Sequence, residues 1–228
     1  MRLLLCLTML FTTYPALSGL VDFNGQFSIK VASISELRFK TIYKQKYDFS
    51  CGSATLASLL SFHYNDEVNE LSVFKDMFEH GNKEKIKHQG FSLLDMKQYL
   101  ARRGYRSNGF KISLEQLSSA QLPAITIINN NGYMHFVIIK GSSASEVLVG
   151  DPAIGLKSIK MAEFREMWNN RILFVIQDYK DIAVSQYQSD QKNDHLVRAN
   201  LGLAVDHASL GLFNVLTTLQ CRLLRIKR

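Results

Sequence analysis

The stretch QKYDFSCGSATLASLLSFHY, residues 45–64, changes character at Cys51. Ahead of the cysteine the chain is polar and aromatic. From it onward Ala and Leu fall on most faces of a helical wheel, which predicts a helix buried nearly all round. Ser50 stands just before that helix and Gly52 just inside it. A thiol at a helix N-terminus meets unpaired N–H groups and partial positive charge, and both stabilise a thiolate. A lone cysteine is more often a small buried hydrophobe, so Cys51 gains meaning only from its surroundings.

Working outward, NELSVFKDMFEHG (69–81) has apolar residues at helical spacing, with Gly81 as its stop. FSLLDMKQYLARRGY (91–105) is a second amphipathic helix, capped by Ser92 and closed by Arg102, Arg103 and Gly104. The pattern then shifts. LPAITIINN (122–130), MHFVIIKGS (134–142) and EVLVGDP (146–152) are short β-branched runs bounded by turn formers. MAEFREMW (161–168) is a short helix and RILFVIQD (171–178) a last strand. Helices first and strands afterwards predict an α+β fold rather than alternating βαβ units.

Two of the strand ends carry reactive types. His135 lies at the start of one strand, and Asp151 closes the next. Antiparallel pairing would bring these ends together. An imidazole could then take the Cys51 proton while the carboxylate fixes the tautomer. Taken singly, a strand-end histidine is ordinary polar edge and Asp-Pro an ordinary turn. Gln45, upstream of Cys51, offers a side-chain amide that could donate to an oxyanion alongside the Cys51 backbone N–H.

Gln45 and Cys-Gly opening a helix, HFVIIKG and VLVGDPAIG together resemble the C39 family of papain-like cysteine peptidases, the bacteriocin-processing, double-glycine leader peptidases. The resemblance runs from about residue 40 to about residue 178 and includes LPAI and EFREMW. It implies a papain-like α+β domain, with an N-terminal helical part whose nucleophile helix packs on an antiparallel sheet. It implies Cys51 as nucleophile, His135 as general base and acid, Asp151 as orienter and Gln45 as oxyanion donor. Cleavage at a double-glycine site is implied too, with no cofactor and no metal. The alternative is a catalytically silent module that binds leader peptides as an accessory of secretion or surface assembly. Acyl transfer by the same thiol, or a disulfide between Cys51 and Cys221, would be further outcomes.

Many members of that family are N-terminal domains of ABC exporters, on the cytoplasmic side. The chain departs from that picture in its export signal, in the lack of a transmembrane bundle after the domain, and in two further features. No G-x-x-x-x-G-K-[ST] loop is present, since GLKS at 155–158 lacks the first glycine. Ser50 stands where an acidic residue often precedes the cysteine, which removes a nearby negative charge from the thiol.

The ends and the composition set the remaining expectations. Arg2, the apolar run Leu3–Phe11 and the Ala16-Leu17-Ser18 pattern read as a signal peptide over 1–18, and hence as export to the periplasm or beyond the cell. The peptidase domain is then 19–180, with a possible strand at FSIKVASI. Residues 181–228 read as a polar linker followed by an amphipathic helix. In that helix Leu212, Val215, Leu216, Leu219, Leu223 and Ile226 share a face, and Arg222, Arg225, Lys227 and Arg228 end it, so it would dock on the domain, a partner or an anionic membrane surface. The formal charge of +7 favours acidic partners or an anionic membrane surface, and without a basic, aromatic-interleaved patch nucleic acid is not expected. A peptide or protein substrate and secretion or surface-assembly machinery are the partners that the resemblance implies. His63 with Glu67, and His80 with His88, are weak metal candidates that read better as solvated surface.

Overall fold

The structure, a computed structural model, describes the backbone of residues 34–202 apart from Asp48 and Asn131, with side chains described to residue 192. The expected signal peptide, the C-terminal basic helix and Cys221 lie outside the described residues, as does nearly all of FSIKVASI.

The helical part comes first. A short α1 (Ile34–Arg38) precedes α2 (Cys51–His63), α3 (Glu70–His80), α4 (Lys83–Gln89) and α5 (Leu93–Arg102). As its composition predicts, α2 is buried from Cys51 to Leu60 without a break, and again at His63. Helix α3 begins where the Asn69 side chain accepts the Ser72 N–H, and α5 where Ser92 and Asp95 form a reciprocal capping box. Gly104, at φ 84°, takes the chain out of α5 through a backbone conformation that suits glycine.

The strands follow, with two more short helices among them: β1 (Ser107–Phe110), α6 (Leu114–Ala120), β2 (Ala124–Asn130), β3 (Tyr133–Ser142), β4 (Glu146–Asp151), β5 (Gly155–Lys160), α7 (Met161–Met167) and β6 (Leu173–Ile176). They form an antiparallel six-stranded sheet in the order β1-β6-β2-β3-β4-β5. Both faces are covered. Helix α2 lies against Phe136, Ile138, Ile125 and Phe174, while Leu117, Phe164 and Trp168 from α6, α7 and its C-cap cover Val137, Ile139, Val147 and Val149 on the other side. Two buried faces explain why β3 and β4 read as unbroken apolar runs instead of alternating ones. The α+β order expected from sequence is what is found, and α2 packs on the sheet as expected.

The chain after β6 differs from the sequence expectation. Residues 181–194 read as a polar linker ahead of a helix, yet α8 (Lys180–Gly202) runs through them as one continuous helix packed on α2 and β3. Ala183, Tyr187 and Asp190 form its inner stripe and are buried. The stripe is narrow and ends in a carboxylate, so the segment reads as polar although its seat is closed. What Asp190 meets there is Lys140 Nζ, at 3.0 Å, which also donates to Thr41 Oγ1 at 2.9 Å. Lys140 sits at a register shift between Ile139 and Gly141 in β3, and a bulge of this kind re-aims a side chain.

Candidate functional site

The N-terminus of α2 meets the sheet at β3. Thr55 Oγ1 donates to the Phe136 carbonyl at 3.2 Å, fixing the helix beside the strand that carries His135. His135 and Asp151 come together through the pairing of β3 with β4, where Ile138 faces Gly150. His135 Nε2 donates to Asp151 Oδ1 at 2.7 Å. The same oxygen accepts the Ala153 N–H at 2.7 Å, so the Asp-Pro turn is both a turn and the anchor of the imidazole. With Nε2 committed, His135 Nδ1 is left buried and without a hydrogen bond of good geometry, on the nitrogen available to the Cys51 thiol.

The electrostatics of the pair run in opposite directions. Cys51 is a free thiol, 7% exposed. Burial pushes its pKa up, but the side-chain interaction with His135, backbone donors at Phe136 and Gly52 and the charge of His135 outweigh it, so the thiol titrates below its ordinary value. Burial pushes His135 down, but its bond to Asp151, its interaction with the Cys51 thiol and the charges of both carry it up to about 9. A lowered thiol facing a raised imidazole is the condition for a thiolate–imidazolium pair near neutral pH.

Gln45 is held beside this group. Its backbone N–H donates to the Pro152 carbonyl at 2.9 Å, tying the 41–50 loop to the Asp151 turn. Its Nε2 contacts the Tyr47 carbonyl at 3.5 Å, a length that leaves the amide N–H free for a better acceptor. Cys51, His135 and Asp151 therefore come together, and Gln45 is tied by its backbone to the turn that carries Asp151.

Beside Cys51 opens a cleft of about 610 Å³, lined mainly by Phe49, Phe91, Leu93, Leu94, Ile127, Tyr133, Met134 and Phe136, with His88 and Gln89 at its edge. Phe49, Leu94, Tyr133 and Met134 are large apolar side chains standing about half in solvent. Tyr133 sits 5.8 Å from the His135 ring, centroid to centroid, whereas Trp168 is buried in the far core with its indole N–H on Thr126.

Two expectations are corrected here. His63 is no surface residue; it is fully buried between α2 and α8. Nor is negative charge missing near Ser50. The Glu70 carboxylate, reaching in from α3, accepts the Ser50 hydroxyl at 2.5 Å and the Lys46 N–H at 3.1 Å. Glu70 was invisible in the sequence because its partners lie in a loop well upstream, and an acid in a helix's first turn is ordinary. Among the described residues no group of three or more His, Cys, Asp or Glu could hold a metal ion.

Comparison with known proteins identifies the family. Residues 38–180 match the family model described as the peptidase C39 family. The chain belongs to the peptidase C39 family. Within it, the chain is 40% identical over 163 residues to a protein of Pseudomonas aeruginosa named "Probable functional amyloid protease FapD", covering 72% of this chain and 70% of that one. A protein of the same name from Pseudomonas fluorescens is 38% identical over 68% of each chain. Among solved structures, the peptidase domain of Streptococcus ComA, a bi-functional ABC transporter involved in a quorum sensing pathway, shares the fold with a TM-score of 0.51 at 19% identity, covering 60% of this chain and 96% of that domain. This C39 chain is thus a cysteine peptidase by family and an α+β, papain-like domain by fold.

Proposed function

We propose that the protein is an exported cysteine endopeptidase that cleaves a secreted peptide or protein precursor at a glycine-containing site. The observation that carries this reading is the imidazole of His135, fixed by Asp151 at 2.7 Å and facing a thiol whose pKa is lowered.

Cys51 is the nucleophile. Its thiolate attacks the scissile carbonyl carbon, and the oxygen that takes the charge receives N–H groups from the Gln45 amide and the Cys51 backbone. His135, as imidazolium, gives its proton to the departing amine as the C–N bond breaks, leaving a thioester on Cys51. His135 then takes a proton from water, the resulting hydroxide adds to the thioester carbon, and Cys51 leaves as thiolate with a free carboxylate as product. Asp151 holds the ring in register through both halves. The apolar cleft supports a peptide substrate with apolar side chains next to the scissile bond. The glycine preference rests on the family resemblance, and export on Arg2, the Leu3–Phe11 run and Ala16-Leu17-Ser18. Likeness to proteins named as probable functional amyloid proteases supports a substrate connected with a functional amyloid.

The test is to compare the N-termini of exported proteins, by mass spectrometry, in cells carrying the wild type and Cys51→Ala. At least one precursor is expected to stay uncut in the variant, with a glycine-containing junction. Identical N-termini in both strains overturn the reading.

A further inference from the structure

We propose that Glu70 is a positioning residue for the oxyanion site, acting on Gln45 through the backbone at Lys46 and on the start of α2 through Ser50. This rests on the peptidase reading above and deepens it. Glu70 is 6% exposed, and a single oxygen, Oε1, receives both the Ser50 hydroxyl and the Lys46 N–H. A buried carboxylate is costly unless such bonds offset its desolvation.

The consequence lies in where these two donors sit. Gln45 donates its own N–H to the Pro152 carbonyl, and the next N–H in the chain, that of Lys46, goes to Glu70. Both peptide planes flanking Gln45 are therefore held, one by the turn that carries Asp151 and the other by α3. With both planes fixed, the direction in which the Gln45 side chain leaves the backbone is fixed too. The same carboxylate oxygen grips Ser50, the residue before Cys51, and the Ser50 oxygen in turn accepts the Tyr47 N–H at 3.2 Å. One buried group thus references both proposed oxyanion donors to each other. A charge-assisted bond to a carboxylate is stronger than a neutral one, which suits it to holding a loop in place.

The test uses the full chain and two probes. Iodoacetamide alkylation against pH reads the Cys51–His135 pair. Binding of the peptide aldehyde acetyl-Gly-Gly-H reads the oxyanion site, because the Cys51 sulfur adds to its carbonyl carbon and the oxygen seeks the same donors. Glu70→Ala is expected to weaken aldehyde binding by about tenfold or more, while the midpoint of the alkylation profile stays put. Glu70→Gln, which keeps an acceptor oxygen, should fall between the two. Ser50→Ala keeps the Lys46 contact and should lose a few-fold. Melting curves check folding, and if Glu70→Ala does not fold, the other two variants decide the matter. Aldehyde binding within twofold of wild type in the folded variants overturns the proposal alone, as does an alkylation midpoint that moves in step with binding. A wild-type thiol that alkylates no faster than free cysteine, or that forms no adduct, overturns the peptidase reading and this proposal together.

Discussion

Strand β3 carries two buried groups of ionisable side chains, and each contains a histidine and an aspartate. At one, His135 faces Asp151 and Cys51 beside an open cleft. At the other, Lys140 is joined to Asp190 and Thr41, with the His63 ring 3.5 Å from the same carboxylate and out of hydrogen-bond geometry. Their imidazoles titrate in opposite directions. His135 is raised to about 9 because two acidic groups outweigh its burial. His63 is pushed well below its usual range by complete burial and then by the Lys140 charge. Burial pulls both rings the same way, so the neighbours make the difference. An acid and a thiol at the cleft leave a proton that can move, whereas an ammonium and a closed wall leave a neutral ring beside a fixed ion pair.

The comparison can be tested by removing its members in turn. The largest effect is expected for Cys51→Ala, which should lower substrate cleavage by more than about 10⁴-fold with no loss of fold, read by precursor processing and a melting curve. Next comes Asp190→Ala, which leaves Lys140 buried without a counter-charge. It should cost about 3–5 kcal/mol in denaturant unfolding, while the double change Lys140→Met with Asp190→Leu should restore most of that. Equal stability of the single and double variants would break the account of the closed site.

Asp151→Asn should slow cleavage by about 10²-fold or more and lower the upper limb of the pH–rate profile, because His135 loses the partner that most raises it. In the wild type that profile should rise through the depressed Cys51 value and fall as His135 gives up its proton near pH 9. Stability carries the same signature. His135 is raised above its unfolded value of 6.5, so its contribution is complete below about pH 6.5 and disappears as pH climbs through about 9. The lowered Cys51 thiol contributes in the opposite sense as pH rises, so the two offset in the wild type. Cys51→Ala exposes the histidine alone, and its melting temperature should fall as pH climbs from 6 to 10, a flat curve there contradicting the account. The smallest effect is expected for Arg106→Ala, whose pairing with Asp178 lies at the surface. It should leave both cleavage and the unfolding midpoint unchanged within error, in contrast to the buried pair at Asp190.

The reactive residues were legible in sequence because each sits at the end of an element. Cys51 opens an apolar helix, His135 starts a strand and Asp151 closes one, so antiparallel pairing alone places two of them together. The long helices announced themselves by period and by caps such as Ser92. Short elements did not: β1 and β5 are polar edge strands, and α4 and α6 are single turns or two with few buried side chains. Glu70, Lys140 and Asp190 escaped for a different reason. Each is polar, and its burial depends on a partner far along the chain, which no local pattern encodes. The first half of α8 reads as a linker on the same account, since the partner of its inward acid is a lysine on β3.

The match to the peptidase C39 family model ends at residue 180, yet the counter-ion of Lys140 lies beyond it. Position 140 and helix α8 are therefore expected to change together over descent. A lineage that sheds the helix has to replace the lysine with an apolar side chain or find an acid elsewhere, and one that gains the lysine first has no seat for it. In any relative, the residue at the β3 bulge should forecast whether a helix with an inward acid follows the last strand.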